Sequence, residues 1–220
     1  MALEIIGWIA PRISSEIISP SGPVFDVRVI EKTAEIHEKA GFDRVLIGYF
    51  SDAPEGSMIA AHASSVTNEL KFLLAHRPGF VAPTLAARML ATLDQLTKGR
   101  LGVHIITGGS DEDQARDGDH TEHRDRYRRS AEYIKLLKLT WTNSEPFNFG
   151  GKFYETRGTH SLIKCYQEPY IPIYGGGGSD AAIESLAPHL STFMLWGEPL
   201  KETREFITRV RNAAEKTQNS

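Results

Sequence analysis

The stretch IPIYGGGGSDAAIESLA (Ile171–Ala187) joins a short apolar run to four consecutive glycines and then to a helical pattern. The apolar run predicts a β-strand, and Ser179 followed by Asp180 is typical of a helix N-terminus. Glycines let backbone N–H groups approach a ligand, and a helix N-terminus adds unpaired donors and the positive end of a dipole. We predict that the turn Gly175–Ser179 holds a phosphate. The alternative is a flexible turn that Ser179 merely caps.

Outward from this stretch, similar apolar runs alternate with helical patterns. The other runs are Leu3–Ala10, Arg44–Ile47, Leu70–Ala75, Leu101–Ile106 and Thr192–Trp196. Because most are nearly continuously apolar, they are typical of parallel strands covered on both faces. The sequence therefore predicts an α/β fold of about six βα units in one domain, residues 1–220, with a hairpin inserted at Phe147–Gly158.

Two architectures fit six such units. A doubly wound open sheet tolerates six strands, whereas a (β/α)8 barrel needs eight and usually about 250 residues. However, a dinucleotide-binding sheet carries its glycines at the first strand–helix turn, and IAPRISSE (Ile9–Glu16) has none. The late position of the glycine cluster favours a barrel, because barrel phosphate sites lie in the late loops.

Composition excludes several classes of protein. A net charge of −3 gives no reason to expect a nucleic-acid partner. No apolar stretch approaches the roughly 20 residues of a membrane span, and the N-terminus lacks a secretion signal, so we expect a cytoplasmic protein. The single cysteine, Cys165, excludes an internal disulfide or a Cys-rich zinc site, and we expect no metal.

Two further segments carry candidate site residues. In VHIITGG (Val103–Gly109), His104 is either a satisfied core residue or a ligand-facing one at the mouth of a barrel. A long polar loop is predicted after it. In the next helix, Arg126 is suited to bidentate phosphate binding, and Tyr127 can add a hydrogen bond. The alternative is a surface arginine beside a core tyrosine.

Several segments together resemble the bacterial-luciferase-like flavin monooxygenases, and the nearest branch is the FMNH2-dependent alkanesulfonate monooxygenases. The matching segments are Leu70–Gly109, Arg126–Tyr133, Pro169–Ala187 and Trp196–Pro199. The resemblance implies a TIM-barrel-like (β/α)8 fold with a small hairpin insertion after the fourth helix. It also implies that this chain is C-terminally truncated and lacks the last two βα units.

By this resemblance, the protein is one half of a two-component system. A separate NAD(P)H-dependent flavin reductase would supply FMNH2, and the monooxygenase would use O2 to oxygenate an alkanesulfonate, releasing sulfite and an aldehyde. A homo-oligomer is expected for the full-length protein. The implied phosphate ligands are Arg126, Tyr127, Gly177, Gly178 and Ser179, and the residues implied to line the flavin ring are Ile47, Gly48, His104 and Thr107.

The departures from the family leave the substrate open. Ala53 stands where the sulfonate branch has a cysteine, and His104 stands where it has an asparagine. Arg12, at the same mouth, is a candidate cation for a sulfonate. The catalytic His and Arg residues of the family are expected beyond the end of this chain, so no catalytic residue is assigned. The alternatives are a non-catalytic paralogue or flavin-binding fragment, or a monooxygenase of dimethyl sulfone or another small sulfur or amine compound.

Overall fold

A six-stranded parallel sheet forms the centre of the molecule. The computed structural model describes residues 3–15 and 17–218, so positions 1, 2, 16, 219 and 220 of the predicted domain lie outside the described residues. In sheet order the strands are β1 (Ile6–Ile9), β2 (Arg44–Ile47), β3 (Lys71–His76), β4 (Leu101–Ile105), β7 (Ile173–Gly176) and β8 (Thr192–Met194). Each strand lies next to its predecessor in this series, with no reversal of order. A doubly wound sheet reverses its order, so the fold is an incomplete TIM-barrel-like one, as predicted.

Helices follow the strands along the chain, and the last of them, α7, comes after β8. They are α1 (Val27–Lys39), α2 (Gly56–Ser65), α3 (Pro83–Leu96), α4 (Asp111–Arg116), α5 (His123–Thr142), α6 (Asp180–Leu186) and α7 (Leu200–Gln218). Among the described residues, none of these helices is both long and apolar enough to cross a membrane.

The core lies between the sheet and these helices. Aligned positions of five strands form one row across the sheet, and all five side chains are buried: Ile9, Ile47, Leu74, Val103 and Ile173. Each fully buried aliphatic side chain of this size stabilises the fold by about 1.5–3 kcal/mol. Because side chains alternate along a strand, the opposite face carries the row Ala75, His104, Tyr174 and Thr192.

The predicted hairpin insertion is confirmed. Strands β5 (Phe147–Gly150) and β6 (Glu155–Thr159) pair antiparallel between α5 and β7. The Glu132 carboxylate of α5 accepts hydrogen bonds from the backbone N–H groups of Lys152, Phe153 and Tyr154, at 2.6–3.2 Å. This carboxylate fixes the hairpin against the long helix.

The predicted polar loop after β4 contains a helix instead. Helix α4 begins where the Ser110 hydroxyl accepts a hydrogen bond from the Asp113 backbone N–H, at 3.2 Å. Asp111, Glu112 and Asp113 all lie in its first turn, where negative charge interacts favourably with the helix dipole. The helix was missed because it carries no apolar stripe. The features that define this helix are the Ser110 cap and the acidic residues of its first turn.

Candidate functional site

The turn from β7 into α6 is a close-fitting backbone cradle. Gly177 has a φ of +147°, and a β-carbon placed there would lie 2.7 Å from the Tyr127 hydroxyl and 2.6 Å from the Ala182 β-carbon. At the neighbouring Gly176, a β-carbon would lie 2.5 Å from the carbonyl oxygen of Met194. Gly178 faces open space. The turn therefore requires glycine at position 177 and leaves its outer side accessible.

Ser179 begins helix α6. Its hydroxyl accepts a hydrogen bond from the Ala182 backbone N–H at 3.2 Å, which is an ordinary N-cap. The helix capping by Ser179, which the sequence analysis gave as the alternative to phosphate binding, is thus present. It leaves the Ser179 hydroxyl proton free to donate to a ligand.

The N-terminus of α5 lies beside this cradle. Tyr127 is buried, and its hydroxyl reaches the Gly177 backbone. The His123 ring packs edge-on against the Tyr127 ring, with centroids 5.1 Å apart. No side chain in the described part of the chain caps the N-terminus of α5, so its first backbone donors can interact with an anion. Sequence reasoning missed His123 as part of this cluster, although its spacing of four residues from Tyr127 places both rings on one helix face.

Arg126 is engaged by groups outside the glycine turn. Its side chain is 2% exposed, with Nη1 donating to the Thr121 carbonyl at 2.8 Å and Nη2 lying 2.9 Å from an Asp111 carboxylate oxygen. Among the described residues, Nε has no hydrogen-bond partner. The structure therefore brings Tyr127 against Gly177, while Arg126 is engaged by the loop after β4.

His104 and Thr107 lie at the carboxyl end of β4. The buried Nδ1 of His104 has no hydrogen-bond partner among the described residues, and burial lowers the pKa of this imidazole to about 4. The ring is therefore neutral at physiological pH and faces the inner side of the sheet. Thr107 is 9% exposed and precedes Gly108, against which the fully buried Gln114 side chain packs.

Ile47 and Gly48 lie on opposite faces at the end of β2. Ile47 belongs to the core row, and its Cγ2 lies 3.2 Å from the position of a β-carbon on Gly56. At Gly48 a β-carbon would lie 2.6 Å from the Trp8 indole. Both residues border a cavity of about 320 Å³ at the ends of β1 and β2.

A buried ionic network ties α4 to the ends of β2 and β3. Arg77 is 5% exposed, and its Nη2 donates to Asp113 at 2.6 Å while its guanidinium lies 4.4 Å from the centre of the Tyr49 ring. The Ser51 hydroxyl donates to the same Asp113, and Tyr49 donates to Asp117 at 2.9 Å. Burial, reinforced by that bond to Asp117, raises the pKa of Tyr49 to about 12. The network was missed because the acidic residues were interpreted as a solvated loop.

In the described part of the chain, no three His, Cys, Asp or Glu side chains gather as a metal site would require. Cys165 is half-buried, and burial raises the pKa of its thiol to about 11, so the thiol is a poor nucleophile.

Comparison with solved structures shows the same fold in several other proteins. Riboflavin lyase with modified FMN and riboflavin superposes with a TM-score of 0.86 at 19% identity, over 98% of this chain and 59% of that one. EDTA monooxygenase from Chelativorans sp. BNC1 gives 0.82 at 18%, over 98% and 58%. The oxygenating constituent of 3,6-diketocamphane monooxygenase from the CAM plasmid of Pseudomonas putida, in complex with FMN, gives 0.78 at 18%, over 98% and 63%. The chain thus spans about six-tenths of the length of these proteins.

A family model described as luciferase-like monooxygenase matches residues 3–220, nearly the whole chain. The match agrees with the resemblance found in the sequence and with the incomplete barrel in the structure. The chain belongs to the luciferase-like monooxygenase family.

Proposed function

We propose that the chain binds FMN, with the phosphate held between the β7–α6 turn and the first turn of α5. The observation that carries this proposal is the close approach of the Tyr127 hydroxyl to Gly177, 2.7 Å from where a β-carbon would stand, which places the N-terminal part of α5 beside the turn that begins α6. Gly177, Gly178 and Ser179 would supply backbone and hydroxyl donors. Tyr127 would add a further hydrogen bond. Arg126 would contribute positive charge through its guanidinium, which Thr121 and Asp111 hold in place.

The residues at the strand ends fit a flavin ring. Gly48 lies at the carboxyl end of β2, and His104 and Thr107 lie at that of β4, with β3 between the two strands. Barrel sites form at this end of the strands, and Ile47 borders the cavity there. His104 presents a neutral nitrogen that has no partner among the residues the structure describes, and this nitrogen can hydrogen-bond to a polar edge of the ring. Bound as FMNH2, the cofactor would supply the electrons that activate O2. These residues would position it and exclude water.

The finer proposal is a two-component monooxygenase that oxygenates an alkanesulfonate and releases sulfite and an aldehyde. It is supported by the sequence segments that resemble the sulfonate branch, among them Trp196–Pro199. An NAD(P)H-dependent flavin reductase would be the partner, in the cytoplasm, and the full-length protein would form a homo-oligomer. Because the chain spans about six-tenths of its structural relatives, this activity is proposed for the protein as a whole.

A second candidate is oxygenation of dimethyl sulfone or another small sulfur or amine compound. The observation favouring it is that Ala53, which replaces the cysteine of the sulfonate branch, borders the 320 Å³ cavity. Alanine instead of cysteine at this position of the cavity lining changes the polarity of the surface that a substrate would contact. A flavin-binding fragment without activity is the remaining alternative.

One experiment separates these functions. The chain is incubated with a flavin reductase, NADH, FMN and O2. Sulfite is measured with alkanesulfonates of two to eight carbons, and formaldehyde, which oxygenation of one methyl group would release together with methanesulfinate, is measured separately with dimethyl sulfone. FMN affinity is measured in parallel by quenching of flavin fluorescence. Sulfite from the sulfonates supports the first proposal. FMN binding without turnover identifies a flavin-binding fragment, and absence of FMN binding contradicts both.

A further inference from the structure

The cavity at the ends of β1 and β2 lies apart from the phosphate cradle and has a distinct chemistry. Its volume of about 320 Å³ is at the low end of pockets that hold small ligands. Much of its wall is apolar and includes Trp8, Ile9, Phe50 and Ile59. We call it the Arg12 cavity, because Arg12 is the one cationic side chain that borders it among the described residues.

Arg12 has no ion-pair or hydrogen-bond partner within the part of the chain that the structure describes, although its side chain is half-buried. Partial burial of a cation beside apolar side chains has a free-energy cost of desolvation, and a bound anion offsets this cost. One carboxylate, Asp52, also borders the cavity and is exposed at its rim. Arg12 and Asp52 together give the lining a formal charge of zero. The Asp52 carboxylate therefore repels a singly charged anion less than a doubly charged one.

We propose that the Arg12 cavity binds a small organic monoanion with an apolar body, and that Arg12 is the specificity-determining residue that holds its anionic group. This inference rests on the proposed function, since it assigns the substrate's place and charge in the same mouth of the barrel. The guanidinium forms charge-assisted hydrogen bonds to the oxygens of a sulfonate. The aliphatic tail packs against Trp8 and Phe50.

Gly48 sets the depth of this cavity. A β-carbon there would lie 2.6 Å from the Trp8 ring and 3.2 Å from the Phe50 ring. A larger residue must displace both aromatic side chains and so reduce the space for the tail. Gly48→Ala therefore tests the apolar half of the site independently of Arg12.

The test is calorimetric titration of the chain with butane-1-sulfonate, without flavin. We expect saturable binding that Arg12→Ala and Arg12→Gln each weaken at least about tenfold. Arg28→Ala, which removes the same charge from an exposed position on α1, is the matched control and should leave the affinity unchanged. Butylphosphonate at pH 8.5, where it is a dianion, should bind more weakly than the sulfonate. Dimethyl sulfone should show no dependence on Arg12.

Equal affinity of the wild type and both Arg12 variants for butane-1-sulfonate contradicts the proposal, as does absence of binding by a chain with native circular dichroism. FMN titration of the same samples keeps the two proposals distinct. Retained FMN binding with no sulfonate binding overturns the Arg12 cavity alone, whereas lost FMN binding with retained sulfonate binding overturns the flavin proposal alone.

Discussion

The hydroxyl of Tyr127 lies 2.7 Å from the point where a β-carbon would stand on Gly177. This contact joins the first turn of α5 to the turn that follows β7, although the two are separated by the whole hairpin insertion. The proposed phosphate cradle therefore depends on both elements, and a change at either one should be detected at the other.

Replacing Gly177 by alanine should weaken FMN binding at least about tenfold, because the new methyl overlaps Tyr127 and Ala182 and the φ of +147° is unfavourable for alanine. Flavin fluorescence titration measures the affinity. Gly150→Ala is the matched control, since a β-carbon at that exposed hairpin position meets nothing within 4 Å. Equal losses in the two variants, or none in Gly177→Ala, would contradict the cradle.

Replacing Asp111 by asparagine should strengthen FMN binding about threefold at low ionic strength. The 2%-exposed Arg126 then loses its carboxylate partner while the guanidinium stays in place through Thr121, so its charge acts more strongly on the phosphate. The gain should fade in 0.5 M salt as the charges are screened. Glu112→Gln removes the same charge from the same turn of α4 and should have a smaller effect. Identical behaviour of both variants would show that Arg126 has no special role.

The outcome of the sequence analysis depended on the kind of signal each element carries. Strand β2 was predicted at Arg44–Ile47 and is found there, because a continuous apolar run between polar residues marks a covered strand. A continuously apolar run has no alternation of polar and apolar positions, so the sequence did not indicate which side of the sheet each side chain faces. Ile47 and Gly48 were grouped together, yet one lies in the core row and the other contacts Trp8.

Polar contacts between residues far apart in the sequence could not be predicted for another reason. The hydrogen bond between Asp113 and Arg77 joins residues 36 positions apart, and no local sequence pattern predicts it. Tyr127 was predicted at the site from its place in a helix's first turns, and the fold does bring it to the glycine turn. The engagement of Arg126 by Asp111 depends on helix α4, which carries no apolar periodicity.

Replacing Asp94 by alanine should lower the free energy of unfolding by about 2–4 kcal/mol. This fully buried carboxylate accepts the backbone N–H groups of Tyr166 and Gln167 and the Gln167 side-chain amide, at 2.7–3.0 Å, and its loss leaves these donors unsatisfied. Chemical denaturation followed by circular dichroism measures the change. Gln95→Ala, an exposed neighbour with one surface hydrogen bond, should cost less than about 0.5 kcal/mol. A loss below about 1 kcal/mol for Asp94→Ala would mean that the segment before β7 is not held by this carboxylate.

Stability should fall as pH drops from 6.5 to 4.5, and three half-buried histidines should account for much of the slope. Burial lowers the pKa of His76, His104 and His189 to about 4, from an ordinary value of 6.5. In this window the unfolded chain binds protons that the folded chain does not, so each histidine destabilises the fold by up to about 1.4 kcal/mol per pH unit.

The carboxylates act in a lower range. Glu38, Asp113 and Asp119 have pKa values lowered from their ordinary 3.8–4.5, so the stability they contribute is present above about pH 4.5 and is lost below it. The window from 6.5 to 4.5 therefore isolates the histidines. His104→Asn should flatten the slope of unfolding free energy against pH, whereas His120→Gln, at an exposed loop position, should leave it as in the wild type. An unchanged slope in His104→Asn would show that the imidazole at the inner face of β4 takes up its proton in the folded state, and a charged ring would then face the mouth of the barrel.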